Sequence, residues 1–170
     1  MIILGIGSNL KSSFGDKINN IDLAISYLDA YGIKTIKMSS YYESESYPNK
    51  NDPKFINVIV SVETALPPID LMSILIFVEE KLGRKRLKKN EPRTCDIDII
   101  DYNQQILNFT YNEEELIIPH KKLQFRNFVL YPLNEIFPEW KHPRTNEKIK
   151  ALIEKLSIED RKSIYKVNNS

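Results

Sequence analysis

Cysteine is nearly missing from the 170-residue chain: Cys95 stands alone. That excludes an internal disulfide framework and suits a reducing compartment. Long apolar runs are missing too; none approaches the ~20 residues needed to cross a bilayer. The opening Met1-Ile2-Ile3-Leu4-Gly5 has neither the basic start nor the cleavage site of a signal peptide. An excess of one charge is also lacking. Lys and Arg number 24 against 23 Asp and Glu, a net +1, so the whole molecule offers no general attraction for nucleic acid. No internal repeat, low-complexity tract or dividing linker is found. What remains is 42% apolar and 28% charged residues, the balance of a folded globular protein. At this length roughly two thirds of the unfolded surface can be buried, enough for a core without staples. A cytoplasmic, monomeric protein with residues 1–170 in one domain and no membrane or nucleic-acid partner is expected.

Periodicity supplies the elements. Met1 to Gly7 reads as a strand entering a turn. Asp16 can cap a helix carrying Ile18, Ile21, Ile25 and Leu28 at helical spacing, with Gly32 as its stop. Ile33 to Tyr42 predicts a strand, Glu43 to Lys54 (with Pro48 and Pro53) a loop, and Phe55 to Glu63 a strand. Pro67 and Pro68 open a helix that Gly83 ends. Cys95 to Tyr102 predicts a further strand. The order β-α-β-β-α-β matches an α+β, ferredoxin-like fold with an antiparallel sheet. C-terminal additions follow: a hairpin over Gln104 to Pro119 and helices over Asn127 to Glu135 and Ile149 to Lys155.

Charge is uneven along this frame. Between Lys81 and Arg93 lie Lys81, Arg84, Lys85, Arg86, Lys88, Lys89 and Arg93 against the single acid Glu91, a local +6. Immediately after comes Arg93-Thr94-Cys95-Asp96-Ile97-Asp98-Ile99-Ile100-Asp101. On a strand, Cys95, Ile97 and Ile99 face one side, and Asp96 and Asp98 the other. Their Cα atoms are about 6.6 Å apart, so both carboxylates can reach one metal site. Two like charges on one face repel unless a cation neutralises them, and Mg²⁺ accepts a few carboxylates plus phosphate oxygens. Metal-holding acids beside arginines suit phosphoryl transfer, where charge spread over phosphate oxygens is met from several sides. The same residues also fit a half-exposed strand with two solvated acids. They fit an RNA-contacting module built on the basic loop, or another Asp-x-Asp transferase.

Four blocks, in order, carry a resemblance. Gly5-Ile6-Gly7-Ser8-Asn9-Leu10 comes first and Phe55-Ile56-Asn57 second. The third is Glu79 with Leu82-Gly83-Arg84 and Pro92-Arg93-Thr94-Cys95-Asp96-Ile97-Asp98-Ile99. The fourth is Ile118-Pro119-His120 with Arg126-Asn127-Phe128-Val129-Leu130-Tyr131-Pro132-Leu133. Together they span Met1 to about Pro138, and the chain resembles the 6-hydroxymethyl-7,8-dihydropterin pyrophosphokinases. Asn90 stands about where many members carry a tryptophan, Lys121 where proline or an aromatic is common, and Glu43-Ser44-Glu45-Ser46 in place of a proline-containing segment.

The resemblance implies pyrophosphoryl transfer from ATP, the co-substrate, to the hydroxymethyl group of a reduced pterin, releasing AMP for folate synthesis. It implies that Asp96 and Asp98 hold two Mg²⁺ ions and that Arg84 and Arg93 act catalytically on the phosphates. Glu79, Arg84, Arg93, Ile99, His120 and Arg126 match ATP-site positions. Gly7, Ser44, Tyr47, Phe55, Asn57 and Phe128 match pterin-site positions; Asn57 offers both a donor and an acceptor to the amide-like edge of the ring. Lys85, Arg86, Lys88 and Lys89 are expected to be solvated. Loops 43–54 and 83–93 are expected to close over the substrates and keep water out. Cys95 is expected to be a small buried hydrophobe.

Overall fold

The computed structural model describes residues 1–85, 91–111 and 114–167. In chain order the elements are β1 (Ile2–Ser8), α1 (Lys17–Ala30), β2 (Lys34–Met38), β3 (Tyr42–Ser44), β4 (Phe55–Glu63), α2 (Pro68–Lys81) and β5 (Asp96–Tyr102). A hairpin of β6 (Leu107–Tyr111) and β7 (Glu114–Ile118) follows, then a 3-10 turn over Leu123–Phe125. The chain continues through α3 (Asn127–Ile136), α4 (Ile149–Lys155), α5 (Ile158–Lys162) and β8 (Ile164–Lys166). No helix of the described residues is long and apolar enough to cross a membrane.

Local signals start and stop α1 and α2 as the sequence predicts. The Asp16 carboxylate accepts from Ile18 N and Asn19 N, and Asn19 Oδ1 accepts from Asp16 N, a reciprocal capping box. Past the ends of α1 and α2, Gly32 (φ +77°) and Gly83 (φ +84°) take the left-handed turn that side chains resist. The sheet runs β5-β1-β4-β3-β8, and β2 also pairs with β4. β4 thus lies between β1 and the β2/β3 edge, the antiparallel split-βαβ arrangement of a ferredoxin-like α+β fold.

Two expectations need correction. The strand over Ile33 to Tyr42 is interrupted, because the Ser39 hydroxyl, in place of a backbone carbonyl, accepts from Ile59 N at 3.0 Å. Its second part, β3, takes Glu43 and Ser44 out of the expected loop and pairs them with both β4 and β8. The elements α5 and β8 were not expected at all.

The two sheet faces explain where a site can form. Ile2, Leu4, Ile6, Val58, Val60, Ile97 and Ile99 point into one core, closed by Ile21, Leu28, Leu71, Leu75 and Val78 of α1 and α2. The other face changes character along its strands. At one end Ile3, Ile59 and Ile100 pack under Leu130 and Leu133 of α3 and Leu152 of α4. Toward the other end the same face carries Gly5 and Gly7 of β1, Asn57 of β4, and Asp96 and Asp98 of β5. These line an open groove. One half of the face is apolar and covered; the half left uncovered is the polar one.

Candidate active site

Alternation on β5 sorts its acids from its core residues. Cys95, Ile97 and Ile99 are buried, at 0%, 3% and 4% exposure, while Asp96 and Asp98 emerge on the groove side. Burial raises the pKa of the Cys95 thiol, so it stays protonated. Across the ladder Asp98 lies opposite Gly5 and Asp96 opposite Gly7. Glycine leaves the space beside both carboxylates clear. A Cβ at Gly7 would come within 3.1 Å of Asn57 Oδ1 and 3.4 Å of the Phe55 ring.

Three arginines converge on the acids. Arg84 Nη1 lies 2.5 Å from Asp96 Oδ1 and 2.6 Å from Glu79 Oε1, and Arg93 Nη2 lies 3.0 Å from Asp96 Oδ2. Arg126 Nη1 lies 3.2 Å from Asp98 Oδ2, and its Nη2 is 3.2 Å from His120 Nε2. Each of two arginines also covers an aromatic: Arg93 sits 5.4 Å from the centroid of Phe55, and Arg126 sits 5.6 Å from that of Phe128. Among the described residues, Arg93 Nε is buried with no acceptor. A buried, unused guanidinium donor is what an anionic ligand would satisfy.

Electrostatics differ from group to group. Desolvation in the groove, then the neighbouring Asp96, raise the pKa of Asp98, and the three arginines oppose that rise. A cation between the two acids would relieve it. His120 is pushed down to about 4, first by burial and then by Arg126 and Lys122. Its geometry agrees: Nδ1 accepts from Lys122 N at 2.9 Å while Nε2 faces the Arg126 guanidinium. Asp101, the third acid of the strand, is fully buried in the covered half. There it accepts from Trp140 Nε1 and Gln104 N, both at 2.7 Å, and serves the packing.

Of the residues expected from sequence, Gly7, Ser44, Tyr47, Phe55, Asn57, Arg93, Asp96, Asp98, His120, Arg126 and Phe128 line one cavity of about 740 Å³. Asn57 Nδ2 donates to Ser44 Oγ at 2.9 Å, which fixes the amide. Three residues stand apart. Ile99 points into the core under the sheet, so only its backbone can serve a ligand. Glu79 is 1% exposed; it accepts from Ile97 N at 2.7 Å and holds Arg84 from behind. Arg84 is held between Glu79 and Asp96 at the groove's edge. Lys85 is exposed, as expected, whereas Arg86, Lys88, Lys89 and Asn90 lie outside the described residues.

Sequence reasoning missed the wall opposite β5. Glu159, Asp160 and Ser163 of α5 and its end line the groove, as do Lys50 and Lys122. One signal was available: Ser157 followed by Asp160 is a capping pair, and Ser157 Oγ accepts from Asp160 N at 3.0 Å.

The donor set fits Mg²⁺. Among the described residues no cluster of three or more His, Cys, Asp and Glu could hold a metal. Two carboxylates beside cleared space therefore leave the remaining coordination positions to water and substrate oxygens, the mode Mg²⁺ prefers.

Comparison with known proteins identifies the family. Residues 3–138 match the family described as 7,8-dihydro-6-hydroxymethylpterin-pyrophosphokinase (HPPK). A 2-amino-4-hydroxy-6-hydroxymethyldihydropteridine pyrophosphokinase of Synechocystis sp. is 37% identical over 91% of this chain and 75% of its own length. One from Aquifex aeolicus is 35% identical over 88% of each chain. The Folic acid synthesis protein fol1 of Pneumocystis carinii is 37% identical over 96% of this chain, which spans only 21% of that protein. Among solved structures, Plasmodium falciparum HPPK-DHPS with pteroate superposes with a TM-score of 0.71 at 17% identity, over 91% of this chain and 44% of that one. That likeness speaks to the fold. The chain belongs to the 7,8-dihydro-6-hydroxymethylpterin-pyrophosphokinase family, and its reaction is the pyrophosphokinase step on a hydroxymethyldihydropterin in folate biosynthesis.

Proposed function

We propose that this chain, acting as a cytoplasmic monomer, uses ATP and two Mg²⁺ ions to pyrophosphorylate 6-hydroxymethyl-7,8-dihydropterin. The observation that carries this is the pairing of Asp96 and Asp98 with Gly5 and Gly7 on one open sheet face, ringed by Arg84, Arg93 and Arg126. In the reaction the pterin hydroxyl oxygen bonds to the β-phosphorus of ATP, the bond from that phosphorus to the α–β bridging oxygen breaks, and AMP leaves. The hydroxyl proton passes to water. Asp96 and Asp98 would hold the Mg²⁺, which when bound neutralises triphosphate charge and orients the attacking and leaving oxygens.

The protein's own groups do the rest. Arg93 and Arg126 turn from their carboxylates toward phosphate oxygens, a bidentate match that lysine lacks. Arg84 does the same from its anchor on Glu79. Neutral His120 offers a hydrogen bond without adding charge. Phe55 and Phe128 supply flat apolar contact for the pterin, and Asn57, with Ser44 behind it, reads the amide-like edge. Gly7 leaves the ring room to approach the sheet, and Tyr47 lies on the loop above.

Product analysis tests the reaction. Protein with ATP, Mg²⁺ and 6-hydroxymethyl-7,8-dihydropterin should yield pterin-dependent AMP, lost on chelation. Asp96→Ala and Asp98→Ala should each lose at least about 100-fold in kcat. ADP in place of AMP would overturn pyrophosphoryl transfer.

A further inference from the structure

We propose, building on the pyrophosphokinase reaction above, that Asn9 is the positioning residue that locks Arg93 to the pterin-side loop. Asn9 follows β1 directly and is 3% exposed. Its Oδ1 accepts from Arg93 N at 2.6 Å, and its Nδ2 donates to Pro53 O at 3.0 Å and to Ser46 Oγ at 3.3 Å. The backbone N–H groups of Asn9 and Leu10 donate to Arg93 O at 3.1 and 3.2 Å. Ser46 Oγ in turn donates to Pro53 O at 2.6 Å. One side-chain amide therefore joins three segments that are far apart in sequence.

Only an amide does both jobs, because it places an acceptor and a donor in one fixed plane. The acceptor and the neighbouring backbone fix both peptide polar groups of Arg93. From that anchor the Arg93 guanidinium reaches Asp96 Oδ2 at 3.0 Å and covers Phe55. The donor fixes the loop bearing Ser46 and Tyr47, which lines the groove. Asn9 does not line the groove; it sets the spacing between the arginine that meets the phosphates and the loop that meets the pterin. Misplacement of a reacting group by ~1 Å can cost about 100-fold in rate.

Two substitutions separate the halves of this role. Asn9→Ala loses both. Asn9→Asp keeps the acceptor toward Arg93 N and turns the donor toward Pro53 O into a repulsion. Steady-state kinetics with both substrates varied, with folding checked by circular dichroism, give the readout. Asn9→Ala should lower kcat about tenfold or more and raise the pterin KM. Asn9→Asp should hold kcat within about threefold of the parent while raising the pterin KM as far. A general loss of stability does not produce that rescue of kcat alone. If Asn9→Ala does not fold, Asn9→Asp decides: a raised pterin KM at near-parental kcat supports the role, and an unchanged KM overturns it. Parental kcat in Asn9→Ala, or equal loss of kcat in both variants, also overturns it. A parent protein that forms no AMP would instead strike the functional assignment.

Discussion

Two side chains beside the site meet opposite kinds of neighbour. Glu79 is buried and accepts from the Ile97 amide at 2.7 Å and from Arg84 at 2.6 Å. His120 meets only donors. A second proton on its ring would face Lys122 N or the Arg126 guanidinium, and burial adds to the cost. Its folded pKa of about 4 lies below the ordinary 6.5, so between those values the unfolded chain binds a proton that the folded chain does not. The stability that neutral His120 contributes is therefore complete above about pH 6.5 and is lost as the pH falls toward 4. His142 is shifted in the same direction and adds to the trend, so the effect has to be isolated by substitution. His120→Gln should unfold at a urea midpoint that drops less than the parent's between about pH 7 and about pH 5. Assigned imidazole resonances should show His120 titrating near pH 4, and a midpoint near 6.5 would refute the account.

The C-terminal hook, α5 with β8, adds a wall to the groove on very little apolar material. None of the five residues of α5 is buried, and β8 is three residues long. What holds the hook is pairing on the edge of β3, together with Asn127, whose Nδ2 donates to Asp160 O at 2.7 Å and Ser163 Oγ at 3.0 Å. Lys50 adds ion pairs to Glu159 and Glu45 across the rim, but at that exposure such pairs contribute little. Asn127→Ala should therefore speed amide hydrogen exchange over residues 157–166 by at least about tenfold and leave β1 and β4 protected. Exchange unchanged in the hook would show that strand pairing alone secures it. The same physics explains what could be read in advance. β4 and α4 were legible to the residue because their apolar positions repeat at a strand or helix period. So was the split of Asp96 and Asp98 from Cys95, Ile97 and Ile99, which is local alternation. The hook has no period to read, and β3 forms inside a polar, proline-bearing stretch because two partners distant in sequence supply its ladder. The tie between Asn9 and Arg93 bridges 84 positions, and the fixing of Glu79 by Ile97 N depends on β5 arriving beside α2. Neither leaves a mark on its own neighbourhood in the chain.

At the scale of the molecule, charge balance in the groove sets the order in which ligands help one another. Among the described residues, the acids Glu79, Asp96 and Asp98 are ion-paired with Arg84, Arg93 and Arg126. Mg²⁺ arriving alone has to displace guanidinium groups already 2.5 to 3.2 Å from the two aspartates. ATP arriving alone brings about four negative charges to a site whose arginines are engaged and whose carboxylates repel it. On the proposed reaction each would remove the other's obstacle: phosphates would draw the arginines off, and the freed carboxylates would be available to hold the cation. Binding to the folded state raises its stability by mass action, so this coupling is visible in thermal unfolding. Mg²⁺ alone and ATP alone should each shift Tm by no more than about 1–2 °C, whereas the pair should shift it by at least about 5 °C. Asp98→Asn, which keeps the shape and removes one carboxylate, should abolish most of the excess shift while leaving the unliganded Tm near the parent's. A full shift with Mg²⁺ alone would mean that the acids are free to bind before any phosphate arrives, and the arginine pairs would then have no part in gating the site.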